Sequence, residues 1–115
     1  MVKTIVRRWT EIQPATVHEG TTKAWILVDK ELKEFKSNTE FVSEFETETE
    51  VAPHIHADSE EFYFILEGRG IMRVGNEKKE VAPRDLVYIP PNTEHTIRAI
   101  DKRVRGLAFG AEVKR

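Results

Sequence analysis

The sequence contains no cysteine. This absence excludes disulfides, thiolate nucleophiles and thiolate metal ligands, so any metal must be held by nitrogen and oxygen atoms. Long apolar runs are also missing, since no stretch approaches the length that a membrane-spanning helix requires. The first residues, MVKTIVRRWTE, lack the apolar core and the small-residue cleavage site of a signal peptide. We therefore expect a soluble, cytoplasmic protein with no membrane partner.

A strong excess of charge of one sign is absent too. The formal net charge is -2, and acidic and basic residues alternate along the chain without a basic cluster. Because a nucleic-acid-binding surface needs such a cluster, we expect no nucleic-acid partner. Charged residues nevertheless make up 33% of the chain while Asn and Gln are few. That balance favours a thermophilic source.

The 115 residues are expected to form one domain, 1–115, around a single core. Turn-forming residues recur at short intervals, which is typical of an all-β sandwich or barrel. The expected strands, all apolar or alternating, are Ala24–Val28, Phe41–Thr49, Glu61–Leu66, Gly70–Val74, Asp85–Pro90, His95–Ile100 and Val104–Phe109. The charged segment Asp29–Asn38 is expected to form either a single helical turn or an edge loop.

Residues 51–70 read VAPHIHADSEEFYFILEGRG and contain two of the four histidines. His54 and His56 are separated by one residue, so on an extended strand both imidazoles project from the same face. Two neighbouring ligands of one metal must project from the same face in this way. By itself the pair is weak evidence, and two surface histidines on a loop after Pro53 are the alternative.

Two acidic residues follow the histidines. Glu60 and Glu61 both lie within reach across the turn at 57–59, and a carboxylate is a common third ligand beside two imidazoles. Strand parity does not choose between them without knowledge of the turn. A solvated acidic hairpin tip is the alternative interpretation of the pair.

A second segment, PRDLVYIPPNTEHTIRA, places His95 at the start of a strand, directly after a Pro-Pro-Asn turn. The first segment reads HxHxxxxExxxxxxG and resembles the first motif of the cupin superfamily, through His54, His56, Glu61 and Gly68. RDLVYIPPNTEH resembles the second motif, in which Gly, five residues, Pro, any residue, Gly and two residues precede His. The two motifs span residues 48–99, and the whole chain resembles a small single-domain cupin of the cupin 2 type.

Four positions depart from the pattern of the family. Glycines are replaced by Glu48, Arg84 and Asn92, and an asparagine is replaced by Ala99. Asparagine tolerates a left-handed backbone better than other residues with side chains, so Asn92 is a mild change. None of the four is an implied metal ligand, and the departures therefore bear on the subfamily more than on the fold.

The resemblance implies an all-β, double-stranded β-helix, also called a jelly-roll barrel, with one divalent transition metal inside. It implies His54, His56, Glu61 and His95 as the metal ligands, and the spacing to Gly68 selects Glu61 over Glu60. Three neutral imidazoles and one carboxylate suit Mn, Fe, Ni, Co or Zn. In an octahedral metal two positions then stay free for water, substrate or dioxygen.

Three further residues are candidates for lining a pocket at the metal. Tyr63 and Ile97 each share a strand face with an implied ligand, and packing in the core is the alternative role. Arg73 would bind an anion if it faced the barrel interior, and an outward, solvated orientation is the alternative. His18 lies in a polar stretch outside both motifs and is not expected to take part in the site.

The strand EFYFIL is apolar on both faces, because Phe62, Phe64 and Leu66 alternate with residues of the implied interior. Three outward apolar side chains require a cover. The cover is expected to be either residues 1–20, an N-terminal arm packing on the barrel or on a partner, or a second copy of the chain. Small cupins resemble one another in pairing, so we expect a homodimer.

The implied function is that of a metal-dependent enzyme that binds a small polar or anionic molecule at the open metal positions. Within the family this means a dioxygenase, a decarboxylase, or a sugar isomerase or epimerase. Val51, Ala52 and Pro53 precede His54 without a catalytic arginine, so an oxalate-type decarboxylase is less supported. The alternative is a non-catalytic module that binds a metal or a small ligand.

Overall fold

The computed structural model describes residues 4–32 and 35–113. Over these ranges the chain forms nine β-strands and one 3-10 helix, Trp9–Glu11. The strands are β1 (Ala15–Val17), β2 (Thr22–Asp29), β3 (Thr39–Thr47), β4 (Ser59–Glu67), β5 (Gly70–Val74), β6 (Glu77–Val81), β7 (Leu86–Ile89), β8 (His95–Ala99) and β9 (Val104–Glu112). Nothing helical in these ranges exceeds that single three-residue turn, and none of it could span a bilayer.

The strands pair into two antiparallel sheets. The larger sheet has the order β1-β2-β3-β9-β4-β7, and the smaller has the order β6-β5-β8. Residues 49–54 extend the smaller sheet beside β8, where the Val51 N–H donates to the Ile97 carbonyl at 2.9 Å and the Ala99 N–H donates to the Thr49 carbonyl at 2.8 Å. The jelly-roll barrel predicted from the sequence is confirmed.

Alternation along β4 places its side chains on two faces. Glu61, Tyr63 and Ile65 are at most 3% exposed and point into the barrel. Phe62 and Phe64 lie between them on the outer face and are half-buried. Successive side chains of a strand point to opposite faces, so one strand supplies both the interior and the exterior of the larger sheet.

Strand β9 makes room for two aromatic rings of β3 by carrying glycine at two inward positions. A Cβ atom on Gly106 would lie 2.7 Å from the Phe45 ring, and one on Gly110 would lie 2.2 Å from the Phe41 ring. Real Cβ atoms do not approach other atoms so closely. The two rings therefore occupy space inside the barrel that any side chain on β9 would take.

The segment before β1 packs on the outer face of the larger sheet. The ring of Trp9 meets that of Trp25 edge-on, with the centroids 5.7 Å apart. The guanidinium of Arg105 lies 5.2 Å and 5.3 Å from the two ring centroids, within the range of a cation–π contact. The arm thus covers part of its own β2 and β9, while its first residues, 1–3, lie outside the described ranges.

The sequence does not predict β1 and β6. Strand β6 reads EKKEV and buries only Val81, so it has no apolar alternation to reveal it, as is common at the edge of a sheet. In the segment 29–38, Asp29 ends β2 and its carbonyl accepts the N–H of Leu32 at 3.2 Å, as in a turn. Lys33 and Glu34, which belong to the same predicted segment, lie outside the described residues.

Two positions where glycine is replaced relative to the family pattern keep a left-handed backbone. Arg84 has φ 74° and Asn92 has φ 57°. The N–H of Arg84 donates to the Ile65 carbonyl at 2.8 Å, and the N–H of Asn92 donates to the His56 carbonyl at 3.0 Å. Both turns are therefore tied to the segment that carries the first histidines, although neither has the residue that favours such a backbone most.

Candidate metal centre

His54 and His95 face each other across the smaller sheet. They are direct partners in an antiparallel bridge, and each N–H donates to the carbonyl of the other, at 3.2 Å and 3.1 Å. This register brings their rings to a centroid distance of 4.1 Å. Residues that are 41 positions apart in the sequence are thus adjacent because residues 49–54 pair with β8.

His56 and Glu61 enter the same space from the two sides of the turn that leads into β4. The His56 ring lies 5.6 Å from that of His95, and Glu61 is 3% exposed on the inner face of β4. Glu60 instead lies on the outer face, where it accepts a hydrogen bond of 2.9 Å from the Tyr88 hydroxyl. The structure therefore brings Glu61, and not Glu60, to the histidines.

The four side chains converge on one point. His54, His56, Glu61 and His95 each offer one ligand atom, and these atoms lie within 4.8 Å of one another. The Oε1 atom of Glu61 lies 3.0 Å from the Nε2 atom of His95 and 3.5 Å from that of His56. These distances leave the atoms close enough to share a single cation.

Two of these atoms are buried without a hydrogen bond. Glu61 Oε1 and His95 Nε2 are inaccessible to solvent, and their 3.0 Å separation lacks hydrogen-bond geometry. Buried polar atoms are normally satisfied, and leaving one unpaired destabilises a fold by about 1–3 kcal/mol. A divalent cation between them would satisfy both atoms, so the residues present fit a metal.

The protonation of two rings also fits a metal. The Nδ1 atom of His54 lies 2.8 Å from the Ala52 carbonyl, and that of His95 lies 2.9 Å from the Thr93 carbonyl. A carbonyl only accepts, so both Nδ1 atoms donate, and in the neutral ring Nε2 then presents a lone pair. Such second contacts orient the histidine ligands of metal sites. Burial lowers the pKa of His54 to about 3, which keeps its ring neutral at neutral pH.

The sequence did not indicate His18, yet the structure brings it to the site. Its ring lies 4.0 Å from the His54 ring at an interplanar angle of 31°. Burial lowers its pKa, opposed by the negative charge of Glu61. His18 belongs to neither motif and lies in a polar turn, so only the pairing of β1 with β2 brings it here.

A cavity of about 80 Å³ adjoins the centre. Its polar walls include His56, Glu61 and His18, and its remaining walls are mostly apolar or aromatic: Val17, Thr22, Ala24, Phe41, Ser43, Phe45, Val51 and Tyr63. Burial and the nearby charge of Glu61 raise the pKa of Tyr63 well above its usual value, so its hydroxyl stays protonated. The described walls hold no arginine or lysine, and Glu61 is their only acid.

The three predicted pocket residues have different positions. Tyr63 lines the cavity. Ile97 is fully buried in the core between the sheets and lies outside the described cavity wall. The prediction that Arg73 lines the pocket is wrong, because Arg73 alternates with the buried Met72 and so lies on the outer face of the smaller sheet. There its guanidinium bonds Glu94 at 2.8 Å and the Gly75 carbonyl at 2.9 Å, away from the histidines.

A family model matches more than half of the chain. The model is that of the cupin domain, and the match covers residues 41–108. It therefore includes the two segments that carry the converging histidines and glutamate.

A relative of uncharacterised function matches part of this region. The uncharacterised protein MJ1618 of Methanocaldococcus jannaschii is 57% identical over 47 residues, which are 41% of this chain and 38% of that protein. The match thus spans well under half of the relative's length.

Solved structures share the whole barrel at low sequence identity. A protein of Thermotoga maritima described as a predicted oxalate decarboxylase has a TM-score of 0.84 at 20% identity, over 95% of this chain and 100% of its own. A cupin 2 conserved barrel domain protein of Salinispora arenicola has a TM-score of 0.78 at 15% identity, over 96% of this chain and 91% of its own. At such identities the likeness concerns the fold alone.

Proposed function

This chain belongs to the cupin domain family, and we propose on that basis that it holds one divalent transition metal and binds a small polar or anionic molecule at the open metal positions. The proposed ligands are His54, His56, Glu61 and His95. Mn, Fe, Ni, Co and Zn all suit three imidazoles and one carboxylate. The metal, when bound, supplies Lewis-acid or oxygen chemistry.

One observation carries this proposal. Glu61 Oε1 and His95 Nε2 are buried 3.0 Å apart with no hydrogen bond. Two unsatisfied polar atoms facing each other would destabilise the barrel unless a cation lies between them. The backbone carbonyls that hold the Nδ1 protons of His54 and His95 leave the remaining lone pairs free for the same cation.

The cavity limits the size of the bound molecule. Its volume of about 80 Å³ is well below the roughly 300 Å³ or more of pockets for drug-sized ligands. A small acid fits this space better than a sugar, which favours a dioxygenase or decarboxylase over an isomerase or epimerase. The Thermotoga maritima relative is described as a predicted oxalate decarboxylase, but the described walls here contain no arginine to hold a second carboxylate.

A non-catalytic binding module is the second candidate. The mostly apolar and aromatic wall, with Phe41, Phe45 and Val51, favours it, because few groups there could move a proton. The neutral Tyr63 hydroxyl and the His18 ring are the groups that could. Incubation of the metal-loaded protein with small carboxylic acids separates the two candidates. An enzyme would consume the acid, whereas a non-catalytic binding module would leave its concentration unchanged.

Metal content tests the proposal directly. Protein purified without nickel resin or chelator should contain close to one equivalent of transition metal per chain by elemental analysis, since the four ligands need only be deprotonated to bind. Less than about a tenth of an equivalent, with none taken up on titration, would contradict the metal site.

We also propose a homodimer formed through the outer face of the larger sheet. Leu86 is 61% exposed there, Tyr88 47% and Leu66 39%. Cross-strand pairing sets Leu86 beside Phe64 and Tyr88 beside Phe62, so the exposed side chains are contiguous. The N-terminal arm lies over Trp25, on the other half of the sheet, and a second copy would cover what the arm leaves open.

A further inference from the structure

The turn between β1 and β2 has an unusual backbone. His18, Glu19 and Gly20 follow one another with φ of 52°, 60° and 84°. A left-handed backbone is unfavourable by about 1–2 kcal/mol for a residue with a side chain, and here two such residues are adjacent. Strain of this kind persists only where the surroundings enforce it, and it is concentrated at ligand-binding sites.

Buried hydroxyls fasten this turn to the sheet. The Thr21 hydroxyl donates to the His18 carbonyl at 2.7 Å, and the Thr47 hydroxyl donates to the Thr21 carbonyl at 2.7 Å. The Thr22 hydroxyl lies 3.1 Å from that of Thr21, and it must be the donor because the Thr21 proton is already used. Thr22 and Thr47 are each 2% exposed. The turn is therefore held in place from β3.

This turn places the His18 side chain at the cavity. The His18 ring stacks on His54 at 4.0 Å and forms part of the cavity wall together with His56 and Glu61. It is not one of the four side chains whose ligand atoms converge. No hydrogen bond joins a ring nitrogen of His18 to any other described residue. A hydrogen-bonding group at the cavity thus has no partner within the described part of the chain.

We infer that His18 is a ligand-binding residue, which donates a hydrogen bond to a small anion held at the open side of the metal centre. This inference rests on the proposed metal. A divalent ion with one carboxylate and three neutral imidazoles keeps a net positive charge, which favours an anionic ligand. The cavity of about 80 Å³ holds the volume of about three waters, so the ligand is of the size of azide or acetate.

Titration of cobalt-loaded protein with sodium azide tests this role. Cobalt(II) is visible in absorption spectra, so metal uptake and anion binding are measured separately on one sample. His18→Gly removes the ring and keeps a backbone that glycine adopts without strain. Glu19→Gly makes the same change at the neighbouring left-handed position, whose side chain is exposed. It is the matched control.

The wild-type protein and Glu19→Gly should take up one cobalt and bind azide equally. His18→Gly should take up one cobalt with the same affinity and bind azide about tenfold more weakly, the loss expected for one hydrogen bond to a charged group. Equal azide affinity in His18→Gly would overturn the inference and leave the metal proposal intact. Loss of cobalt from His18→Gly would overturn it too, since His18 would then support His54. Absence of cobalt from the wild-type protein would overturn both proposals.

Discussion

The two faces of β4 differ in a way that is opposite to the usual distribution of polarity. On the inner face, Glu61 is 3% exposed inside the barrel, whereas on the outer face Leu66 is 39% exposed. Carboxylates are rarely buried without a partner, and contiguous exposed apolar side chains are rare in monomers. Each face therefore fits one proposed partner: the inner face fits the proposed cation, and the outer face fits the proposed second copy of the chain.

The largest expected effect comes from emptying the inner face. Ile65 is fully buried in the core, so Ile65→Ala should lower the free energy of unfolding by about 2–5 kcal/mol through lost burial and the cavity left behind. Ile100→Ala deletes the same atoms at a position that is 38% exposed and should lower it by less than half as much. Urea denaturation of both variants measures the difference. Equal losses would mean that the inner face is not the core of the barrel.

A smaller effect is expected from a charge on the outer face. Leu86→Asp places a carboxylate in the proposed dimer interface and should weaken association about a hundredfold, or about 2.7 kcal/mol. Ile100→Asp, on a loop outside that face, should leave association unchanged. Light scattering at micromolar concentration reports the mass. A wild-type protein that is already monomeric would contradict the proposed dimer and show that no second copy packs on this face.

The smallest effect on stability is expected at the metal ligands. His56→Ala should abolish metal binding and lower the free energy of unfolding by only about 1–2 kcal/mol, because the site lies on a preformed barrel and is not the main source of its stability. Glu60→Ala changes the neighbouring outer-face acid and should keep a full equivalent of metal. Elemental analysis and thermal denaturation give the two readings. Complete unfolding of His56→Ala would show that the metal is structural.

The sequence predicts most of the barrel because its central strands alternate clearly. In β4, each inward residue is separated from the next by one outward residue, and the register in the structure follows that pattern. The edge strand β6 escapes prediction, since four of its five residues are exposed and it carries no alternation. It pairs with β5 as a hairpin across the two residues Gly75 and Asn76, so only that turn, and not the charged residues of the strand, marks its place in the sheet.

The candidate site is predictable to the extent that it belongs to local motifs. His54, His56, Glu61 and His95 converge as the two motifs imply. For Arg73 the sequence allows either an inward or an outward orientation. Only its place in the strand, next to the buried Met72, shows that it lies on the outer face. His18 lies 36 residues before His54, and a turn of unusual backbone brings the two rings together. No spacing rule connects such residues.

The contact between the arm and the sheet has a consequence for optical measurements. Trp9 and Trp25 are the only two tryptophans of the chain, and they meet edge-on beneath one guanidinium. Both indoles lie on the outside of the barrel, on the opposite side of the larger sheet from the histidines. Intrinsic fluorescence of this protein therefore reports whether the arm is docked. A change in emission that precedes the loss of far-ultraviolet circular dichroism would mark release of the arm from an intact barrel.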